Sequence, residues 1–148
     1  MDHQAPSVQK VSEIIKVLNG GIEFYQDGVE KVNEARITSL FTRMIEEKKE
    51  AVTALQPYAV AEQGRAETNH DVGVDIRNMY TTLVGSITSD KAHTYIKQLE
   101  EVEDKVLLSI DEALEEEQPS NCAAELRRIR TRMQQCHDEM KLLQTETA

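Results

Sequence analysis

The sequence predicts an all-α fold, an antiparallel four-helix bundle made of two helical hairpins joined by a long crossover. Three observations predict it. The composition favours helix: Glu, Gln, Lys, Ala and Leu dominate, while Gly (6) and Pro (3) are scarce among 148 residues. Apolar residues recur with a period of 3.6, and no segment alternates for long in the manner of a strand. The links between helical stretches are short except for one of 27 residues between Gly64 and Asp90. The length is that of one domain, so residues 1–148 read as a single bundle with 1–6 and 145–148 as frayed ends.

The first helix is expected over 7–33, with Ser7 as its N-cap after Pro6. Its main stripe is Val11, Ile15, Leu18, Ile22, Tyr25, Val29 and Val32; a second stripe of Val17, Gly21, Phe24 and Gly28 lies beside it. Each glycine inside a helix costs about 1 kcal/mol relative to Ala. Close approach of a neighbouring element is one explanation for them; simple tolerance is the other. The second helix begins near Ile37 with Leu40, Phe41, Met44, Ile45, Ala51, Val52 and Leu55. Pro57 predicts a kink or stop, with a possible continuation to Gln63 and Gly64 as C-cap.

Within the long link, Val72, Ile76, Met79, Tyr80, Leu83, Val84 and Ile87 have helical spacing and predict a short helix capped by Asn69 or Asp71. The third long helix runs from near Asp90 to before Pro119 on Ala92, Ile96, Leu99, Val106, Leu107, Ile110 and Leu114. The fourth follows with Leu126, Ile129, Met133, Cys136, Met140 and Leu143. The third is acidic and the fourth opens with Arg127, Arg128, Arg130 and Arg132. A tight hairpin would set Asp111 and Glu112 beside Arg127 and Arg128, favouring antiparallel pairing.

The net charge of −10 and the pI near 4.9 exclude a phosphate backbone as an expected partner. No basic amphipathic face suggests a membrane surface, no signal peptide is visible, and no apolar run approaches a membrane span. Cys122 and Cys136, fourteen residues apart on one expected helix, stand about 21 Å from each other and cannot pair. A reduced, cytoplasmic setting is the expectation.

Chemistry is sought where a polar residue interrupts an apolar stripe, because burial costs free energy unless a partner exists. Glu103 lies near the centre of the third helix's stripe, between Leu99 and Val106. His137 flanks the fourth stripe at a similar level, Glu47 flanks the second with Lys48 nearer its centre, and Tyr25 lies on the inward face of the first. In the crossover topology these residues would meet at mid-bundle. Two readings are open. Glu47, Glu103 and His137 could ligate a divalent metal or di-iron pair; or Glu103 pairs with Lys48 or Tyr25 in a buried network and His137 is simply satisfied. Lys48 favours the network, since a cation opposes metal binding. His3, His70 and His93 are expected to be solvated, and no phosphate loop, CxxC or Ser/His/Asp signature is present.

Val17-Leu18-Asn19-Gly20-Gly21-Ile22-Glu23 with Asp27-Gly28, Leu40-Phe41 with Glu46-Glu47-Lys48, Glu103-Asp104 and His137-Asp138 occur in order along residues 8–143. In these the chain resembles an uncharacterised bacterial family of ferritin-like four-helix-bundle proteins. The resemblance implies a ferritin-like bundle with the long crossover and no established activity. Di-iron members of that superfamily place one Glu on each of two helices and Glu-x-x-His on the others. Here Glu50 stands where His belongs in Glu47-Lys48-Lys49-Glu50, Gln134 stands where Glu belongs before His137, and Glu23 turns away from the core. Only Glu47, Glu103 and His137 remain as ligands, too few for a conventional di-iron site.

The expected role is therefore a non-enzymatic structural or protein-interaction module, stress-related by fold analogy alone, with a homodimer as the expected oligomer. The alternative is a metal-binding protein or oxidoreductase with iron or manganese as cofactor on the same three residues. On the network reading, Glu103→Ala should destabilise by about 1–3 kcal/mol and Glu103→Met should be neutral or stabilising.

Overall fold

The computed structural model describes residues 6–70 and 91–147. Four helices make up this part: α1 (Val11–Lys31), α2 (Ala35–Gln63), α3 (Lys91–Glu115) and α4 (Ser120–Thr147). The described residues contain no strand. The expected short helix after Asn69 lies outside them.

The first helix starts later than its sequence suggests. Ser7 is outside α1, and Lys10 sits at its N-terminus in the left-handed region (φ 62°) without a side-chain cap. The cap comes from across the bundle. Glu62 on α2 accepts hydrogen bonds from the backbone N–H of Lys10 (3.0 Å) and of Ser12 (2.8 Å). A carboxylate there meets both the free N–H groups and the positive end of the helix dipole, so a local Ser cap is redundant. Residues 8–10 are held against the α3–α4 turn: Gln9 and Gln118 exchange two hydrogen bonds, and Lys10 pairs with Glu116 at 3.2 Å.

The second helix passes through Pro57 without stopping and ends on Gly64, whose N–H bonds to the Val60 carbonyl at φ 85°. Pro57 and Thr53 are exposed. Water can therefore take the Thr53 carbonyl that the missing N–H leaves free. At the other end of the molecule the last residues, expected to fray, lie in α4; Thr147 meets His93 Nδ1 at 3.0 Å.

Helix directions follow from these pairings. The end of α2 meets the start of α1, and Glu116, just past α3, also meets Lys10. Tyr95 near the start of α3 bonds Asp27 near the end of α1. Hence α2 and α3 both run opposite to α1. Arg36 at the start of α2 pairs with Glu146 at the end of α4, so α4 runs parallel to α1. After Gly64 the chain turns back along α1, fixed by Asn19 on the Asn69 carbonyl (2.9 Å), by Gln56 on Glu67 and by Glu23 on His70 (3.2 Å).

All four helices give one stripe to a common core. The second stripe of α1 belongs to it. A Cβ added at Gly21 would meet Val102 Cγ1 at 3.1 Å, and one at Gly28 would meet the Phe41 ring at 3.0 Å. Phe24 packs edge-on against Tyr95 with centroids 6.1 Å apart. The glycines admit side chains of α2 and α3, so close approach is the explanation that holds.

The α3–α4 hairpin is offset by about one turn from its expected register. Asp111 pairs with Arg130 (2.5 and 3.2 Å) rather than with Arg127 or Arg128, and Arg128 pairs with Glu125 on its own helix. In the turn at 116–119, Gln118 bridges back to the Ala113 carbonyl and to Gln9.

Candidate functional site

The centre of the bundle holds one polar cluster, and three helices build it. Glu103 replaces an apolar residue on the inward face of α3 between Leu99 and Val106; it and Lys48 on α2 are both 0% exposed. Lys48 Nζ donates to Glu103 Oε1. The Tyr25 hydroxyl on α1 donates to the same oxygen at 2.8 Å. The Lys48 ammonium also lies 4.9 Å from the centroid of the Tyr25 ring, within reach of its π-face. Glu103 Oε2 is buried and has no hydrogen-bond partner among the described residues.

Packing fixes each member. The Tyr25 ring is wedged edge-on against Phe41 with centroids 5.5 Å apart. The Lys48 stem passes 3.5 Å from where a Cβ on Gly21 would stand, so the glycine leaves the channel through which the ammonium reaches Glu103. Burial, the Glu103 charge and the hydrogen bond to it hold the Tyr25 phenol protonated, well above its ordinary range. On α4, Cys136 lies in the field of the same pair. Burial pushes its thiol up to about 12 despite the Lys48 charge, which makes it a poor nucleophile.

The three residues expected as metal ligands go to different partners. Glu103 is taken by Lys48 and Tyr25. Glu47 faces outward between α2 and α4, where Arg132 grips both its oxygens at 2.9 Å. His137 stands at the level expected for it but rotated out to the α3–α4 edge, with Nε2 2.7 Å from Asp104 and 4.0 Å from Glu100, and Nδ1 3.4 Å from Asp138. Among the described residues no group of three or more His, Cys, Asp or Glu side chains could hold a metal ion. The central donor set also argues against one. A divalent ion 4 Å from the Lys48 ammonium would be repelled by roughly 8 kcal/mol at an effective dielectric of 20. A ferritin-like di-metal centre does not fit these residues.

Two carboxylates with structural duties were not legible in the sequence. Glu62 gave no signal because its partner is the start of another helix. Glu67, 4% exposed, lies beyond α2 where no periodicity applies; its backbone meets Gln56, and its Oε2 accepts from Asn69 N at 3.0 Å.

The chain is matched over residues 7–116 by one family, described as a domain of unknown function (DUF2383). That span reaches one residue past α3 and leaves α4 outside. No curated protein and no solved structure matches the chain.

Proposed function

Since the chain belongs to the DUF2383 family, we propose that it is a non-enzymatic helical-bundle module with a structural or protein-interaction role, on a ferritin-like scaffold. The scaffold reading draws on the order of helix directions, in which the second and third long helices run the same way and the outer two run opposite to them. The observation that carries the functional reading is the sealed Lys48–Glu103 pair. Both groups are fully buried and bonded to each other, so neither offers a substrate a free acid, base or nucleophile.

Such a pair contributes little net stability over an apolar substitute, but it penalises any packing that separates its members. Here those members come from α2 and α3, the two helices on opposite sides of the 27-residue link. The pair is thus suited to specifying how one hairpin docks on the other. No observation favours iron or manganese on Glu47, Glu103 and His137 over this reading.

Elemental analysis of purified protein, followed by iron(II) and manganese(II) titration, tests the choice. The module reading expects no stoichiometric metal and identical isotherms for the wild type and Glu103→Ala. One equivalent of metal on the wild type would overturn it.

A further inference from the structure

We propose that the α2–α4 face is a dimer surface on which a second copy of the same chain packs about a two-fold axis parallel to the helices. The proposal rests on the interaction-module reading and names its partner.

The observation is a ladder of charge. Arg36 on α2 pairs with Glu146 on α4, Arg43 with Glu139, and Glu50 with Arg132. Successive rungs are seven residues apart on both helices, two turns, so the side chains stand in a line along the outer edge of the seam. The signs read plus, plus, minus down α2 and minus, minus, plus on the α4 positions opposite. The ladder is not used up within one chain. The side chains of Arg36, Arg43 and Arg132 are 69%, 52% and 48% exposed. Each guanidinium carries five donors in a fixed fork; Arg36 and Arg43 each pair with one carboxylate across the seam, and Arg132, held by Glu47 and Glu50 together, still has donors to spare.

Apolar surface lies between the rungs. Leu142 is 60% exposed beside the half-buried Leu40, over a groove of about 460 Å³. Of the adjacent helix pairs in the bundle, α2 and α4 touch least, which leaves their shared face open.

Symmetry turns this pattern into a choice of partner. In a face-to-face dimer with its axis along the helices, each α2 lies over the α4 of the other copy at the same level. Every Arg on α2 then faces a Glu of the second copy, and Glu50 faces an Arg. Each rung closes into a four-charge ring of alternating sign, a network in which surface ion pairs gain from one another. Turning the axis across the helices instead lays α2 on α2 with levels inverted. With the axis at the middle rung Arg43 would meet its own copy, a like-charge contact that opposes docking, and at any other level at least one rung is left without an opposite charge. One orientation satisfies all three rungs.

Light scattering coupled to size exclusion over a range of concentrations tests this, with circular dichroism verifying the helix content of each variant. The wild type is expected at twice 16.8 kDa. Leu142→Glu, and separately Arg36→Glu with Arg43→Glu, should each raise the dimer dissociation constant at least about tenfold. The quadruple exchange that adds Glu139→Arg and Glu146→Arg restores complementarity within and between chains, and should bring the constant back to within about threefold. Leu108→Glu is the control: Leu108 is 54% exposed on α3, away from this face, and the substitution should change nothing. A monomer at every concentration overturns the proposal. So does a dimer indifferent to Leu142→Glu and to the double reversal, or one weakened by Leu108→Glu instead. A metal-free monomer would remove the dimer and leave the module reading standing, whereas stoichiometric metal would remove the module reading by itself.

Discussion

Burying a charge pair makes its two members hostages to each other. Glu103→Met by itself was expected to be neutral or stabilising, but Lys48 is as deeply buried as Glu103 and has its ammonium on that carboxylate. Removing either partner strands a charge, at a cost of about 3–5 kcal/mol, while replacing both with apolar residues of similar volume is close to neutral. Urea denaturation should therefore show Lys48→Met and Glu103→Met each strongly destabilised, and the Lys48→Met/Glu103→Leu double variant more stable than either single, short of wild type by about 1–3 kcal/mol for the buried Tyr25 hydroxyl that loses its acceptor. A loss in the double variant equal to the sum of the two single losses would rule out coupling between them. Tyr25 adds a pH dependence to the same cluster. Its phenol is raised in the folded state, so the native protein holds that proton more tightly than the unfolded chain does. The stability this gives is complete below about pH 10, the ordinary phenol value, and is lost as pH rises through the higher folded value. Alkaline titration at 295 nm should find no contribution from Tyr25 until unfolding, so Tyr25→Phe should leave the native titration curve unchanged.

Helix-level reasoning from propensity alone would favour replacing the glycines of α1, since Ala gains about 1 kcal/mol in a helix interior. At Gly28 the added methyl would stand 3.0 and 3.1 Å from two carbons of the Phe41 ring and 3.6 Å from Tyr95. Phe41 is fully buried and braced by Tyr25, so it has little room to withdraw. Overpacking of this kind costs about 1–3 kcal/mol, enough to outweigh the propensity gain. Gly28→Ala should accordingly lower the thermal midpoint. A rise would mean that Phe41 repacks freely. The same element shows where sequence signals compete. Ser7 carries a good N-cap side chain, yet the N–H groups of Lys10 and Ser12 find Glu62 instead. Pro57 carries a strong stop signal, yet its exposed position lets solvent absorb the defect while the buried Leu55 and Ala59 keep α2 on the core. In both places a tertiary contact outranked a local preference.

At the scale of the molecule, the four long helices were readable because each needs one apolar stripe, and a stripe is a property of the chain alone. Glu103 and Tyr25 were readable for the same reason, as polar side chains on inward faces that must find partners. Their meeting with Lys48 was among the pairings the wheel allowed. Glu47 and His137 were placed at sound levels but on the wrong side of their helices for a central site. The wheel fixes a residue's angle relative to its own stripe; it does not fix how the stripes of four helices rotate against one another. Packing decided that. Arg132 drew Glu47 to the α2–α4 edge, and Asp104 and Glu100 drew His137 to the α3–α4 edge. The charge ladder escaped notice because its rungs join helices that are far apart in sequence, and its seven-residue spacing is visible only once α2 and α4 lie side by side.

Amino-acid order by itself determined that this chain is helical, where its apolar faces lie, and that a carboxylate at 103 would have to be neutralised inside. These follow from spacing and solvation, which need no neighbour to be specified. Only the tertiary structure decided that a lysine supplies the neutralising charge, that a glutamate from α2 caps α1, and that three ion pairs align along one open edge. Each of those joins groups on different helices, and their meeting is set by the rotation and register with which the helices pack.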